Sequence, residues 1–486
     1  MGFFDNLIRA FSPETALKRK AAEHALTELE QIRNYEAAKR GRRTKNWFTT
    51  DSGPNQATVS SISTLRARAR DLGRNNPWAR KAIEVIKTNV VGTGIRPNFD
   101  TQNKRFVQAW REWAETTECD FDGRLDFYGL QGLVMRNVAE AGECLVRKRV
   151  DSKGIYPIKL QVLEGDFLDI SKDGTITADG NMIVGGVEFD DNGRRVAYWL
   201  YTSHPSENRW QNFNVISKRI PADEVLHIFR QERPGQVRGV PFGASALLRL
   251  RDLDEYEDAQ LVRQKIAACF SAFVTSTGEA SLSSQNPQYE RLEPGTIQYL
   301  ERGEGVSFAA PPGAEGYGEY TKKILQSIAA GFGITYEAMT GDLTNVNFSS
   351  GRMGWLEFQR NVNDLQFSMM IPQMCIPAFQ WFMDSAKLGG QISSTMRSPG
   401  IDWTPARREM IDPLKETQAI KEAIMIGIQP WQEAVREQGY SPEAVLEMLK
   451  QDQDNFDKFG LKLTSDPRNS SSLQGQQQNQ NSSGGE

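Results

Sequence analysis

Carboxylates are the side chains best suited to chemistry in this sequence, because it holds only three histidines, His24, His204 and His227. The segment 169–177 matches the first nine positions of an EF-hand calcium loop, including the glycine that permits its turn. Position twelve is Gly180, where calcium requires a bidentate glutamate, and the flanking residues have the pattern of strands. We therefore predict a β-turn here, and no bound metal or cofactor.

A second group of carboxylates falls between residues 252 and 258, where a two-metal nuclease would need converging acids. A helix spreads such residues around its axis, and Arg251 and Glu255 have the spacing of an exposed ion pair. A phosphate-binding GxxxxGK[ST] loop is absent, and Ser245 lacks the second glycine of a nucleophile elbow. The sequence therefore predicts a protein that is not an enzyme, with a metal-dependent nuclease as the alternative.

Length and charge narrow the class of protein further. The chain has 486 residues, which allows two to four domains, and its 58 basic residues nearly balance its 62 acidic ones. This balance excludes a globally basic nucleic-acid coat. Four widely spaced cysteines indicate buried thiols in a reducing compartment rather than a disulfide framework. These are Cys119, Cys144, Cys269 and Cys375.

The first residues carry an apolar stripe at helical spacing. No apolar run reaches the length of about 20 residues that a bilayer-spanning helix needs, and no secretory signal is present. Basic residues at 18–20 follow the stripe, so a membrane-associated scaffold is a further alternative, although a helix docked on a partner is the commoner use. The stripe consists of Phe3, Phe4, Leu7, Ile8 and Phe11.

Periodicity divides the remaining chain into a mixed first half and a helical second half. Helices are predicted at 63–74 and 77–90, antiparallel strands at 144–150 and 158–163, and a hairpin turn at 191–193. A long helix follows, then an acidic, turn-rich insert with short strand-like pieces at 295–300 and 305–308. A second helix, a polar loop and another long helix come after the insert. Predicted helices at 406–426, 431–437 and 442–459 precede a polar tail without apolar residues to bury.

Seven linked segments carry a resemblance to a known family. Together they resemble the lambda-like portal proteins of tailed phages, over about residues 60 to 450. The segments are 74–79, 89–94, 141–146, 233–241, 253–268, 294–297 and 341–358.

The resemblance implies an α+β portal fold with named parts. These are a basic helical arm (1–59), an α+β wing (60–240), a first stem helix (243–273), a small α/β clip (274–318), a second stem helix (319–338), a tunnel loop (341–351), a long helix joining wing and crown (352–386), a helical crown (405–460) and a disordered tail (465–486).

The same resemblance implies a head-tail connector without catalytic function. Twelve copies would form a ring at one capsid vertex of the virion, after assembly in the host cytoplasm. Double-stranded DNA would pass through its channel without sequence preference, driven by the terminase large subunit. Head-completion or adaptor proteins and the major capsid and scaffold proteins are the other implied partners, and no membrane is expected.

Three groups of residues are predicted to serve this function. A channel should hold DNA weakly, since each lysine or arginine on a phosphate adds affinity that slows movement. Residues 344–350 of the tunnel loop are uncharged and fit this requirement. The charged stem is expected to meet neighbouring subunits, and the acidic clip is expected to dock terminase or adaptor. The tunnel-loop residues are Thr344, Asn345, Val346, Asn347, Phe348, Ser349 and Ser350; the stem contacts are Arg249, Arg251, Asp254, Glu255, Asp258 and Arg263; the clip residues are Glu293, Glu301, Arg302 and Glu304.

Overall fold

The structure is a computed structural model whose described part begins at residue 51 and ends at residue 461. Within it, residues 102, 208–215, 270–272, 277–303, 308–315, 345, 407–409 and 411 are not described, nor are the side chains of 266–276, 304–307 and 348. The predicted arm up to residue 50, most of the clip and the predicted tail lie outside the described residues. The elements below belong to the unit that begins at Pro54.

Four helices open the described chain, and side chains cap three of them, with Asn103 capping the third. The Oδ1 atom of Asn76 accepts a hydrogen bond from the Ala79 amide at 2.9 Å, and Asp126 caps the fourth helix in the same way. The first helix begins at a proline, which suits a first turn, so the predicted arm-wing boundary at residue 59 falls inside it. The helices are α1 (Pro54–Asn75), α2 (Pro77–Val90), α3 (Lys104–Ala114) and α4 (Phe127–Ala141).

Eight strands accompany these helices; seven of them form two antiparallel sheets, and the first pairs with a later strand. They are β1 (Arg96–Asp100), β2 (Glu143–Val150), β3 (Ile158–Glu164), β4 (Met182–Val184), β5 (Val187–Phe189), β6 (Arg195–Tyr201), β7 (Ser217–Pro221) and β8 (Val225–Phe229). The order is β3-β2-β8 in one sheet and β4-β5-β6-β7 in the other. The predicted strands at 144–150 and 158–163 pair as expected, and Gly193, with φ +73°, turns the predicted hairpin.

The predicted stem helices have different bounds in the structure. The first begins four residues late, because 243–246 form turns. The second is divided by Gly333, whose φ of +72° ends one helix before a short one begins. Between them, two strands pair antiparallel, one of them at the predicted strand near residue 305. The elements are α5 (Leu247–Cys269), β9 (Phe273–Ser276), β10 (Glu304–Ser307), α6 (Tyr317–Phe332) and α7 (Tyr336–Thr340).

The long helix after the tunnel loop begins at Phe348 rather than at the predicted residue 352. Asn347 and Ser350 form a capping box, in which each side chain bonds the other's backbone amide, so the helix begins inside the predicted loop. A π-helix that contains Pro372 interrupts the predicted continuous helix. The elements are α8 (Phe348–Asp364), the π-helix (Leu365–Cys375), α9 (Ile376–Leu388) and β11 (Gly400–Thr404).

Three helices form the predicted crown, but the first begins at Pro413 rather than near 406. Thr404, nine residues before this helix, ends β11, where its hydroxyl accepts a hydrogen bond from the side-chain amide of Asn98 at 2.8 Å. Asp412 supplies the cap. The helices are α10 (Pro413–Met425), α11 (Trp431–Glu437) and α12 (Pro442–Phe459).

The predicted wing shares an aromatic core with distant parts of the chain. Trp110 of α3 meets Phe382 of α9 edge-to-face, with ring centroids 5.0 Å apart, and Phe379 at 5.7 Å. Strand β1 pairs with β11, more than 300 residues further along the chain. The core that residues 60–240 build therefore also contains side chains from beyond residue 240.

Three of the four cysteines, Cys119, Cys144 and Cys375, are free and buried, as predicted, and burial raises the pKa of each thiol. The side chain of Cys269 lies outside the described residues. Among the helices described, none combines the length and the apolar character needed to cross a bilayer.

Candidate channel and subunit-contact surfaces

The predicted first stem helix begins on the core of the predicted wing, and its apolar side chains become exposed further along. Leu247, Leu250 and Leu253 of α5 are buried, whereas Leu261 and Val262, further along the helix, are 51% and 54% exposed. Tyrosines join α5 to the returning helix α6. The ring of Tyr256 stacks on Tyr317 with centroids 5.9 Å apart, and it meets Tyr320 at 4.7 Å. The two stem helices thus form a pair that leaves apolar side chains exposed.

The predicted stem contacts have different partners within the chain. Arg251 and Glu255 form the predicted exposed ion pair, with Nε 2.8 Å from Oε1. Asp254 accepts a hydrogen bond from Asn76 at 2.7 Å, which ties α5 to the wing. Arg249 and Asp258 are exposed, and Arg263 is partly buried. Burial and the nearby carboxylates Asp254 and Asp258 raise the pKa of Glu257.

The predicted tunnel loop is shorter than expected, because Phe348, Ser349 and Ser350 belong to α8. Thr344 donates its hydroxyl to Asp342 at 2.6 Å, and the Asn347 Oδ1 accepts from the Ser350 amide at 2.8 Å. The polar groups of Thr344, Asn347 and Ser350 therefore form hydrogen bonds within the loop and the first turn of α8. Leu343 is 66% exposed, and Val346 is partly buried. Asn345 lies outside the described residues.

The predicted clip residues can be placed only in part. Glu293, Glu301 and Arg302 lie outside the described residues. Glu304 begins β10 and its backbone pairs with Ser276, but its side chain is not described. Docking by the clip therefore stays a prediction.

A buried ion-pair cluster in the wing was not predicted from the sequence. Glu143, at the start of β2, is fully buried, and its carboxylate lies 2.6 Å from an Nη atom of Arg66 and 2.9 Å from Nε of Arg238. It also accepts a hydrogen bond from the Gly239 amide at 2.9 Å and contacts His227 Nε2 at 3.0 Å. One carboxylate therefore joins α1, β2, β8 and the segment that leads to the stem.

Two of the segments that carried the resemblance, 141–146 and 233–241, supply the centre of this cluster. Arg238 also donates to the carbonyl oxygens of Gly185 and Gly165, at 2.6 and 3.0 Å. Burial alone would raise the pKa of Glu143, but Arg238, His227 and Arg66 hold it well below its ordinary value. The carboxylate is therefore ionised, and its contacts fix the junction between wing and stem.

One group among the described residues, Glu164, Asp166 and His204, has the ligand types of a metal site. The guanidinium of Arg70 already bridges it, with one Nη atom 2.6 Å from oxygens of both Glu164 and Asp166. Arg66 and Arg70 outweigh the effect of burial and lower the pKa of Asp166. We assign this group as an ion-pair network. The EF-hand-like segment forms the predicted turn, with Gly174 at φ +72°.

Comparison with known families decides the class of protein. The family model described as phage portal protein, lambda family, matches residues 40–366. The chain belongs to the lambda family of phage portal proteins. The matched range includes the buried cluster, both stem helices and the tunnel loop, so these features belong to a portal-family chain.

Portal proteins of other phages are similar to this chain over most of its length. It is 26% identical to the probable portal protein of Halomonas phage phiHAP-1, over 95% of this chain and 94% of that one. Portal protein B of Escherichia phage lambda is 22% identical, over 82% of this portal-family chain and 85% of its own. The family therefore extends beyond the motifs from which the resemblance was inferred.

Solved structures with similarity to this portal-family chain include a component of the neck of a native gene transfer agent particle, computed with C12 symmetry. It has a TM-score of 0.49 and 18% identity, and it covers 81% of this chain and 96% of that one. A portal protein of the HK97 family from Corynebacterium diphtheriae has a TM-score of 0.31 and 11% identity, with 76% and 99% coverage.

Acidification is expected to destabilise the wing of this portal-family chain through His227. Burial lowers the pKa of this imidazole despite its hydrogen bond to Glu143, so the folded state holds it neutral, while the unfolded chain binds a proton below about pH 6.5. The free energy of unfolding should therefore fall as the pH is lowered from 7 to 5, with up to about 2 kcal/mol from this group. Urea unfolding at several pH values measures the loss.

The control is His227→Gln, which keeps a polar side chain but removes the titration. Its free energy of unfolding should fall less than that of the wild type between pH 7 and 5. Equal losses in the two chains would show that His227 does not carry this pH dependence.

Proposed function

We propose that copies of this chain form a twelve-fold ring at one capsid vertex, and that the ring is the channel for genome packaging and DNA exit. Membership of the lambda portal family is the observation that carries this proposal. The stem supports it, because α5 leaves Leu248, Leu261 and Val262 exposed beside charged side chains. Such a surface suits burial against a neighbouring copy.

The proposed ring acts with several partner proteins and with DNA. The terminase large subunit drives DNA through the channel, and head-completion or adaptor proteins dock after packaging. The major capsid and scaffold proteins surround the ring at the vertex, and assembly takes place in the host cytoplasm. The tunnel loop between α7 and α8 meets the DNA, which it contacts weakly and without sequence preference.

Packaging assays test this function. Procapsids of the phage are assembled with or without this chain and supplied with their terminase, ATP and genomic DNA, and nuclease-protected DNA is measured. Protected DNA is expected only in procapsids that contain the ring. Equal protection in procapsids that lack the chain would contradict the proposal.

Charge reversal at Arg251 tests the stem contacts. The variant Arg251→Glu places a carboxylate beside Glu255 and next to the acids expected on the neighbouring subunit, so ring assembly should require about tenfold more protein, or about 1.4 kcal/mol. Sedimentation of a concentration series measures the shift. Arg360→Glu is the matched control, since Arg360 forms an equally exposed intrahelical pair with Glu357 on α8. If both variants shifted the concentration needed for assembly equally, Arg251 would have no specific role in the subunit interface.

A further inference from the structure

Asp342 lies at the base of the tunnel loop, and its two carboxylate oxygens have different partners. Oδ1 accepts hydrogen bonds from the amide and the hydroxyl of Thr344, at 3.1 and 2.6 Å. Oδ2 accepts from the hydroxyl of Tyr336 at 3.1 Å and lies 3.9 Å from Nζ of Lys322. One side chain thus joins the loop to α7 and to the second stem helix, α6.

These contacts keep the carboxylate ionised. The hydrogen bonds from Thr344 and Tyr336, together with the nearby Lys322, lower the pKa of Asp342. The ammonium of Lys322 also lies 5.5 Å from the centroid of the Tyr336 ring, which is within range of a cation–π contact. The neighbouring Lys323, by contrast, is exposed.

The ion pair between Lys322 and Asp342 affects how strongly a channel would hold DNA. A lysine on the second stem helix is repeated in every copy of a ring, and each free ammonium that meets a phosphate adds affinity for DNA. Asp342 offers Lys322 a carboxylate within its own chain. The same carboxylate holds Thr344, so the charge pairing and the loop position depend on one residue.

We propose that Asp342 is a positioning residue that fixes the tunnel loop to the second stem helix and pairs Lys322, so that this lysine does not hold the phosphates of passing DNA. The part that concerns DNA rests on the proposed channel function. The loop-fixing part rests only on the contacts of Asp342.

Two substitutions in the assembled full-length ring separate these effects. Asp342→Asn keeps an oxygen that accepts from Thr344 but removes the charge, so the ring should bind double-stranded DNA about tenfold more tightly at low salt, with a steeper salt dependence. Adding Lys322→Gln should cancel this increase. In a ring that carries Lys323→Gln, by contrast, Asp342→Asn should still raise the affinity for DNA about tenfold. The proposed pairing would be overturned if Asp342→Asn left the affinity for DNA unchanged. It would also be overturned if Lys322→Gln and Lys323→Gln reduced the effect of Asp342→Asn equally.

Hydrogen exchange of the loop amides tests the positioning without DNA. Asp342→Ala should exchange the Thr344 amide at least about tenfold faster than wild type, whereas Asp342→Asn should remain close to wild type. Equal exchange in wild type and Asp342→Ala would overturn the positioning role. If neither wild type nor variants bind DNA or restore packaging, the channel function fails, while the exchange result still decides the role of Asp342 in the loop.

Discussion

Replacing Glu143 with glutamine is expected to destabilise the wing by about 3–5 kcal/mol. The amide keeps the shape of the side chain but leaves Arg238 as a buried charge without the Glu143 carboxylate, and Arg66 with the Asp166 carboxylate at 3.2 Å; each of these arginines is no more than 1% exposed. Breaking a buried pair is costly because the remaining charge stays desolvated. Denaturant unfolding followed by tryptophan fluorescence measures the loss, since Trp110 and Trp113 lie in the wing core.

Glu255→Gln is the matched control for this prediction. It removes the same charge from an ion pair whose two side chains are both more than 60% exposed, so the expected cost is about 0–1 kcal/mol. A loss in Glu143→Gln no greater than that in Glu255→Gln would contradict the structural role of the buried cluster.

Replacing Gly142 with alanine should have an effect of similar size, through the backbone. Gly142 has φ +94°, and a Cβ atom built on it would lie 2.5 Å from the Val240 carbonyl carbon and 2.7 Å from the Pro241 nitrogen. Both contacts are with backbone, so they can be relieved only by separating the segments that hold Glu143 and Arg238. We expect a loss above about 3 kcal/mol, seen as a lower unfolding midpoint.

Gly123 provides the comparison, because it has φ +66° but a Cβ atom added to it would meet nothing within 4 Å. Gly123→Ala should cost only the backbone strain of a left-handed residue, about 1–2 kcal/mol. Similar losses for the two variants would mean that the close approach of the two segments does not limit stability.

The local elements were largely predictable because their signals lie within a few residues. The 191–193 hairpin, the strands at 144–150 and 158–163 and the Arg251–Glu255 pair all follow from short-range spacing. Other boundaries were missed although a signal was present. Gly333 follows α6 directly and marks its end, and Pro54 is a first-turn proline that marks the start of α1.

Long-range contacts could not be predicted from one sequence. Glu143 and Arg238 are 95 residues apart, and nothing in either segment indicates its partner. The pairing of β1 with β11 crosses 300 residues, and the π-helix changes the period of a helix too briefly to show in the apolar pattern. The resemblance identified the segments that meet in the wing, but only the structure shows the contacts between them.

The candidate site residues show the same difference between local and long-range contacts. Asp342 was included in a segment that carried the resemblance but was not identified, because an Asx-type contact with Thr344 is common in loops and the partner on α6 is distant in sequence. Asn347 and Ser350 were predicted for their polarity, which the structure uses to begin α8. Their contact with DNA stays a prediction.

The most direct test of the ring is its mass and shape. Native mass spectrometry and electron microscopy of the purified full-length chain should show a closed ring with a central channel, with a mass twelve times the 54.7 kDa of one chain when it is isolated from virions. A chain that remains monomeric at every concentration, and virions whose vertex holds no ring of this chain, would contradict the account.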